Sequence, residues 1–427
     1  MHPAHRHPAT GLLAALAVTA LVAGGCSTSK TPTGDAADTV LTLGAAGTAP
    51  AQAAIDAFQK ANPGVTVKTT FTEDDASYQQ QLRTQLASGT APDVFRLWPG
   101  GGNSTSVADL SKDGLLLDLS GEPWAGKVST VQRTVSNGPD GKLVALPITI
   151  GAIGAIWNDT AVKASGLTPP KTWTEVLAFC GAARQKNVYA FALGLKSAWV
   201  TQLVPYALTA TLVYGPNPSF TQQQKAGTAT FAASAWKQAM DKYLEMKNAN
   251  CFNPSPNGVS YDEQMQMIGQ GKALGAVHVL SAVPNAKKYA PANTPFSMTP
   301  FPATDSPADT FVPVSVGISY AINAKAKNPA LAKKFLAFLA SEEGQQVYAT
   351  KAGATPALPS SAFQADAIQQ PVLDAQKAGR STIYPDQTWP NPKVQSEHLI
   401  AIQELFNGTI DVPTALSRLD KAFTTAK

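Results

Sequence analysis

The chain is poor in the residues on which most triad enzymes and metal proteins depend. Its 427 residues include three cysteines and five histidines, and 15% of them are charged. Three of the histidines stand within the first seven residues, which leaves His278 and His398 for the rest of the chain. This shortage argues against a catalytic triad and against a histidine-rich metal site.

Common catalytic and nucleic-acid-binding patterns are also missing. The sequence has no Gly-x-Ser-x-Gly elbow, no His-Glu-x-x-His pair and no P-loop. Carboxylates are present, but no two of them stand at the ends of flanking strands, as the paired acids of a glycoside hydrolase would. An exported glycoside hydrolase is the rival function to a binding protein. The net charge of +4 is spread without a Lys/Arg block, which argues against a nucleic-acid role.

The N-terminus has the pattern of an export signal. His2, His5, Arg6 and His7 precede a short apolar run over residues 11–23, which ends in small residues before Cys26. Residues 1–25 therefore predict a signal peptide. Cys26 resembles the bacterial lipobox cysteine, which implies a lipid anchor on the outer face of the cell membrane. Lipobox sequences usually have Leu three residues before the cysteine, where this chain has Ala23. The alternative is therefore cleavage at a nearby alanine, which would release the protein as a free secreted chain.

The segment after the anchor position is a flexible tether in composition. Residues 26–38 are rich in Ser, Thr, Pro, Gly and Ala. Beyond it, no apolar stretch approaches the length of a membrane-spanning helix.

Two cysteines remain in the exported part of the chain, Cys180 and Cys251. In an oxidising compartment they predict a disulfide, while two buried free thiols are the alternative. Neither has a Cys or His neighbour at metal-ligand spacing, so no metal site is expected.

The first hundred residues of the mature chain alternate between strand and helix patterns. Strands are predicted over 40–43, 65–71 and 91–97, with helices over 51–61 and 77–87 between them. This rhythm is typical of a doubly wound α/β lobe.

The stretch from Asp140 to Asn158 organises the rest of the chain. It begins in a turn at Gly141 and continues as an apolar, β-branched run with three glycines among the isoleucines. A strand this apolar is buried on both faces, and glycines within it mark a bend or a close backbone approach. The stretch therefore predicts a hinge strand that leaves one lobe and enters a second. A single buried core strand without a hinge is the alternative.

Here the sequence resembles the extracellular solute-binding proteins of ABC importers, in their maltose-binding-protein-like sugar-binding group (family 1). Thr172 and Glu175 form a predicted capping box behind two prolines. The segments Phe58–Val67 and Leu86–Val94 match further family patterns. The other matching residues form a Gly-Lys turn, a strand end and a helix start: Gly141, Lys142, Leu146, Pro147, Trp157, Asn158, Gly166, Leu167, Pro169, Pro170, Thr172, Trp173 and Glu175.

The resemblance implies an α/β fold of two doubly wound lobes joined by hinge strands, of type II. It places lobe 1 at residues 39–150 with 303–357 and lobe 2 at 151–302 with 358–427. It also implies a monomeric receptor without enzymatic activity or cofactor. That receptor would close on a mono- or oligosaccharide and present it to a membrane permease.

Ligands of such folds bind beyond the carboxyl ends of strands, and a sugar needs aromatic faces and hydroxyl partners there. Trp389 lies where the family's tail places stacking aromatics, and Arg380 and Tyr384 lie in the same tail. The predicted ligand-binding residues are Asp74, Asp75, Trp98, Asn103, Lys196, Trp199, His278, Ser281 and Trp389.

Each of these candidates has a structural alternative. Tryptophans are more often core residues, and Trp157 and Trp173 are assigned to packing. An acidic cluster such as Glu73, Asp74 and Asp75 is more often a solvated turn or helix start than a ligand contact. For His278 a hydrogen-bonded core histidine is an equal alternative.

Two departures from the family concern the ligand. Residues 279–282 lack the stacking tryptophan that the family commonly has there. In the hinge strand, Gly151 or its neighbours stand where the maltose-binding-protein-like group has an acidic residue. The ligand is therefore a different sugar, or a polyamine, peptide or phosphodiester on the same fold.

Overall fold

The computed structural model describes residues 39–72, 74–361 and 363–425. The predictions of a signal peptide, a lipid anchor at Cys26, a tether over 26–38 and a role for Glu73 lie outside the described residues.

The predicted strands and helices of the first lobe are present, with ends shifted by a few residues. The strands are β1 (Val40–Ala46), β2 (Thr66–Thr72), β3 (Val94–Leu97), β4 (Leu146–Asn158), β5 (Tyr189–Phe191), β6 (Ala273–Val279), β7 (Phe296–Thr299), β8 (Val312–Ile322), β9 (Thr355–Pro356) and β10 (Ser381–Thr382).

The helices lie between and after these strands. They are α1 (Thr48–Ala61), α2 (Asp75–Ser88), α3 (Val107–Lys112), α4 (Thr130–Ser136), α5 (Asp159–Ser165), α6 (Trp173–Gln185), α7 (Leu203–Thr209), α8 (Phe220–Lys225), α9 (Trp236–Asn248), α10 (Tyr261–Gly269), α11 (Val283–Lys287), α12 (Pro329–Leu339), α13 (Glu342–Ala352), α14 (Gln370–Lys377), α15 (Pro385–Thr388), α16 (Pro392–Asn407) and α17 (Val412–Thr424).

Capping side chains explain where several helices begin. Thr172 accepts a hydrogen bond from the backbone N–H of Glu175 and so caps α6 as predicted. The reciprocal half of the predicted capping box is wrong, because the Glu175 carboxylate accepts instead from the N–H of Lys171 at 2.7 Å.

The strands form one sheet in the order β2-β1-β3-β8-β4-β6-β5. β2, β1 and β3 run parallel, whereas β8 pairs antiparallel with both β3 and β4. On the other side β6 and β7 pair antiparallel with β4, and β5 pairs parallel with β6. The result is a mixed α/β fold with helices covering the sheet, as the βαβ rhythm predicted.

The 13-residue strand β4 changes partners along its length. Its residues 146–152 pair with β8, and its residues 153–158 pair with β6 and β7. The hinge-strand prediction is therefore confirmed, and the alternative of a strand confined to one core is wrong.

The buried side chains separate into groups on the two halves of the sheet. We call first lobe the part whose core is built from residues within 41–148 and 320–358. The second lobe is the part whose core is built from residues within 152–314 and 372–423. Val312 and Val314 pack with the second lobe, so β8, like β4, contributes to both.

A disulfide joins Cys180 in α6 to Cys251 after α9, with both side chains fully buried. The alternative of two free thiols is wrong. Among the described helices, none has the length and apolarity that crossing a bilayer requires.

Candidate functional site

The two long strands are open to solvent at one shared place. In β4 only Ile150 and Gly151 are half-exposed, and in β8 only Gly317 and Ile318 are. Gly151 pairs with Ser315 in the ladder, and a Cβ atom placed on Gly151 would lie 3.4 Å from the Cα of Gly317. At these four residues both strands pass from the core of one lobe to that of the other, and we call them the cleft floor because a cleft between the lobes would open onto them.

Tyr384 covers part of the cleft floor. Its hydroxyl would lie 2.8 Å from a Cβ atom on Gly151, so only glycine leaves room for it. The ring of Tyr384 is half-buried, whereas its hydroxyl oxygen is fully buried. A tail residue thus occupies the space that a side chain at position 151 would need.

Trp98, Arg96 and Asp75 form the wall of the first lobe. Arg96 lies one residue before the end of β3 and is 7% exposed. Its guanidinium donates to the Ala46 carbonyl at 2.7 Å and pairs with the Asp75 carboxylate at 3.1 Å. The guanidinium carbon lies 4.0 Å from the centre of the half-exposed Trp98 ring. This cation–π contact holds one face of the indole and leaves the ring partly open.

Trp199, Tyr261 and His278 form the wall of the second lobe. The Trp199 ring lies 5.2 Å from Tyr261 and 5.2 Å from His278, the latter edge to face. His278 is fully buried, and burial lowers its pKa to about 3, so its ring is neutral. The residue supports the half-exposed Trp199 from behind, which fits the core-histidine alternative better than a ligand contact.

Carboxylates of both lobes act on the hydroxyl group of Tyr261. Burial raises the pKa of Tyr261 to about 12, and the carboxylates of Asp262 and Asp75 add to this rise against a hydrogen bond from Asn285. Asp75 belongs to the first lobe and Tyr261 to the second. The charge of one wall is therefore felt at the other.

Two predicted site residues, Trp389 and Asn103, are buried, which argues against a ligand contact, and their role in the site stays a prediction. Trp389 is 1% exposed and its ring packs among Tyr206, Phe231, Trp236 and His398. It has no free face for a sugar, and the half-exposed tail aromatic is Tyr384 instead.

Asn103 is 5% exposed and its amide oxygen accepts from the backbone and the hydroxyl of Thr105. Its amide nitrogen faces Gln395 at 3.5 Å. Asn103 therefore shapes the loop after β3 and joins it to α16.

The remaining candidates lie on exposed surface. Asp74 caps α2 by accepting from the Ser77 N–H at 2.8 Å, which lowers its pKa, so the solvated-helix-start alternative describes it. Lys196 and Ser281 are both exposed, one after β5 and one in the turn after β6. A ligand role for these two stays a prediction.

Sequence reasoning missed Arg96, Tyr261 and Asp386. Arg96 lies inside a predicted strand, and residue alternation along a strand does not show which of its two faces is buried. Tyr261 is the first residue of α10, and no local pattern indicates that its ring packs against Trp199. Asp386 follows Pro385, and nothing in the local pattern distinguishes it from a surface turn residue.

The fold and the cleft define a class, that of two-lobed binding proteins whose ligands are held between lobes. The model of the bacterial extracellular solute-binding protein family matches residues 44–346, well over half of the chain. The chain therefore belongs to this family. Its members are binding proteins, which confirms the prediction of a receptor rather than an enzyme.

Individual relatives are distant in sequence. The multiple sugar-binding protein of Streptococcus mutans is 22% identical over 297 residues, covering 68% of either chain. A structure from work on xylan utilization by Caldanaerobius polysaccharolyticus has a TM-score of 0.78 at 20% identity, covering 90% of this chain and 99% of that one. The solute-binding protein RafE in complex with raffinose has a TM-score of 0.76 at 17% identity, covering 91% and 100%. These structural likenesses establish the fold.

Proposed function

We propose that this protein captures a mono- or oligosaccharide between its lobes and delivers it to the permease of an ABC importer. The observation that carries the proposal is the pair of half-exposed indoles, Trp98 on the first lobe and Trp199 on the second. Flat aromatic faces cover the C–H patches of a sugar ring, and two of them on opposite walls can hold one ring system.

The surroundings of the two indoles suit a neutral ligand. Arg96 and Asp75 neutralise each other on the first wall, and His278 is uncharged on the second. A polyamine would require several free carboxylates and a phosphodiester would require a basic nest. The described walls offer neither.

Closure follows from contacts made by one ligand to both lobes. A solute that touches Trp98 and Trp199 together gains binding energy only in the closed form, so it shifts the population toward that form. β4 and β8 are the segments that bend, because they alone of the long strands pair in both lobes and are open at Gly151 and Gly317.

Names of relatives support a sugar in this cleft. One relative is a multiple sugar-binding protein, and solved structures of the same fold hold raffinose and stachyose. The absence of a tryptophan at 279–282 is offset here by Trp199 and Tyr261, which place aromatic rings on the same wall.

Attachment to the cell and the lobe boundaries complete the proposal. Export is followed by lipidation of Cys26, and residues 26–38 tether a monomer to the outer face of the membrane. We place lobe 1 at 39–150 with 303–357 and lobe 2 at 151–302 with 358–427, although Val312 and Val314 pack in the second-lobe core and Leu358 packs in the first-lobe core. The anchor is tested by fractionating cells, where we expect the unchanged protein in the membrane fraction and the Cys26→Ser variant outside it. Mass spectrometry of the unchanged protein should show the added mass of the lipid at its N-terminus.

The sugar assignment is tested by thermal shift of the chain from Ser27 onward against a panel of mono- and oligosaccharides. A ligand of micromolar Kd at millimolar concentration adds about 4 kcal/mol to the free energy of unfolding. A shift with one or more sugars is expected. Shifts with a polyamine or peptide and with no sugar would overturn the assignment while leaving the family standing.

A further inference from the structure

Three consecutive glycines follow Trp98 and Pro99 in the first lobe, and the tail of the chain lies directly against them. A Cβ atom on Gly101 would lie 2.6 Å from the carbonyl oxygen of Trp389, and Cβ atoms on the other two glycines would also collide with tail backbone. Two backbones approach this closely only where no side chain stands between them. We call residues 100–102 the glycine loop and residues 386–389 the tail segment.

The glycine loop is fixed to the first lobe. The N–H of Gly100 donates to the Val135 carbonyl in α4 at 2.7 Å, and the Gly100 carbonyl accepts from the N–H of Ala108 in α3 at 2.9 Å. Helix α3 packs in the first-lobe core through Val107 and Leu110. The loop therefore moves with the first lobe.

The tail segment is fixed to the second lobe. The Trp389 ring packs in the second-lobe core against Tyr206 and Trp236. One residue earlier, the hydroxyl of Thr388 is hydrogen-bonded to the hydroxyl of Thr221 in α8 at 2.9 Å. The tail segment therefore moves with the second lobe, and its contact with the glycine loop runs between the lobes.

Gln387 joins this contact to the hinge strand β8. Its carbonyl accepts a hydrogen bond from the N–H of Gly101 at 3.1 Å, which connects the two lobes. Its side chain is buried, donates to the Val316 carbonyl at 2.8 Å and accepts from the Ser315 hydroxyl. Both partners stand directly before Gly317 of the cleft floor. The contact therefore lies beside the point where β8 passes from one lobe to the other.

The contact also lies on the ligand side of the hinge. Strands β1, β2 and β3 run parallel, and the glycine loop extends from the carboxyl end of β3 at the edge that presents Trp98. Tyr384, two residues before the tail segment, lies over Gly151 of the cleft floor. A hinge motion that opens the cleft would therefore draw the glycine loop away from the tail segment and break the hydrogen bond between Gly101 and Gln387.

We propose that the glycine loop and the tail segment form a latch that holds the two lobes together over the cleft floor before any ligand binds. A backbone contact of this kind needs no solute, so the empty protein already populates the arrangement in which Trp98 and Trp199 belong to one site. A ligand that binds this arrangement gains apparent affinity, since the apparent Kd falls as the competent fraction rises. The inference goes beyond the proposed function, because the latch acts in the ligand-free chain whatever the ligand is.

The chain offers a matched set of glycine variants. In Gly101→Ala the added methyl group meets the Trp389 carbonyl, and in Gly102→Ala it meets the Asp386 carbonyl. Neither glycine has a positive φ, so the loop backbone by itself accepts alanine. The control is Gly121→Ala, which also lies in the first lobe without a positive φ and has nothing within 4 Å of the new Cβ.

The test measures the distance between the lobes in the ligand-free chain from Ser27 onward. Nitroxide labels are attached at Gln80→Cys in α2 and Gln266→Cys in α10, two exposed positions on helices of opposite lobes that begin at the cleft. The remaining cysteines, Cys180 and Cys251, are held in the buried disulfide and do not react with the label. Pulsed dipolar electron spin resonance then reports how far apart the two helices stand.

We expect one narrow distance distribution in the unchanged chain and in Gly121→Ala. Gly101→Ala and Gly102→Ala should give a longer and broader distribution, because the latch is prised open. The sugar that gives the largest thermal shift should bind these two variants about threefold more weakly or worse, by the factor through which the competent fraction falls. Gly121→Ala should leave that Kd unchanged.

If Gly101→Ala and Gly102→Ala fold and give the distance distribution of the unchanged chain, the latch is overturned. A longer distance without any loss of affinity would overturn its contribution to binding. If no sugar binds the unchanged chain, the proposed function fails, and the ligand-free distances still decide on the latch.

A measurement on the unchanged chain keeps the proposal testable should both alanine variants fail to fold. The Gly101 amide hydrogen should exchange slowly in the ligand-free protein, because it is bonded to Gln387 of the other lobe. Exchange at the rate of a free loop amide would overturn the latch.

Discussion

The guanidinium carbon of Arg96 lies 4.0 Å from the centre of the Trp98 ring. Arg96 is itself held by the Ala46 carbonyl and by Asp75. The indole is therefore fixed on one face before any ligand arrives. A pre-oriented ring loses little conformational freedom on binding, and such preorganisation favours affinity.

Removing either wall indole should weaken sugar binding. We expect Trp98→Ala and Trp199→Ala each to raise Kd about tenfold, equivalent to about 1.4 kcal/mol, because a stacking face is lost. Titration calorimetry measures this effect. If both variants bound the sugar as tightly as the unchanged chain, the two indoles would not be part of the binding site.

Trp389 should behave in the opposite way. Because it is buried in an aromatic core, Trp389→Ala is expected to cost about 3–5 kcal/mol of stability, measured by urea unfolding. Trp389→Phe, which keeps an aromatic ring there, should retain ligand affinity within a few-fold. A Kd raised as much by Trp389→Phe as by Trp98→Ala would contradict the core assignment.

Glycine 151 should resist even a methyl group. In Gly151→Ala the new Cβ lies 2.8 Å from the Tyr384 hydroxyl, so the tail must shift, at a cost of about 1–3 kcal/mol. We expect a lower Tm and a raised Kd. The matched control is Gly181→Ala, where nothing lies within 4 Å of the new Cβ in helix α6, so stability should rise by about 0.5–1 kcal/mol.

The disulfide should stabilise the second lobe. It closes a loop of 71 residues, for which the chain-entropy model gives about 4 kcal/mol. Replacing both Cys180 and Cys251 by Ala should lower the urea midpoint accordingly. Dithiothreitol should destabilise the unchanged chain and leave the double variant unaffected; an unchanged midpoint in both would contradict a stabilising bridge.

Asp386 should make stability fall as pH rises. Burial raises its pKa from 3.8 to about 7, so between these values the folded state binds more protons than the unfolded state. The free energy of unfolding therefore decreases as pH rises through this window. Relative to the unchanged chain, Asp386→Asn should gain about 3 kcal/mol between pH 4.5 and 7.5, measured by urea melts. A difference that does not vary with pH would contradict the buried, ionising carboxylate.

His398 should act in the reverse direction over the same window. Burial lowers its pKa from 6.5 to about 3, so the unfolded state binds the proton first and stability is lost as pH falls below 6.5. His398→Phe, which keeps a ring stacked on Tyr206, should lose less stability than the unchanged chain between pH 7 and 4.5. Equal losses in both chains would show that His398 titrates normally.

Local patterns in the sequence were sufficient for the framework of the fold. The apolar run with its glycines predicted the hinge strand β4, because period and composition are properties of neighbouring residues. The alternation of strand and helix predicted the α/β class for the same reason. The positions of Trp98 and Trp199 after strands also singled them out as candidates, and both indoles are half-exposed.

The tertiary structure decided what each loop side chain faces. Trp389 and Tyr384 stand five residues apart in one tail segment, yet the first is buried among rings from α7 and α9 and the second covers Gly151. The pairing of Cys180 with Cys251, and of Arg96 with Asp75 and Trp98, likewise depended on the packed arrangement. The sequence by itself determined which elements form, since that depends on short-range periodicity. Contacts between residues that are far apart in the sequence determined the site, since the burial of a side chain depends on which distant segment packs against it.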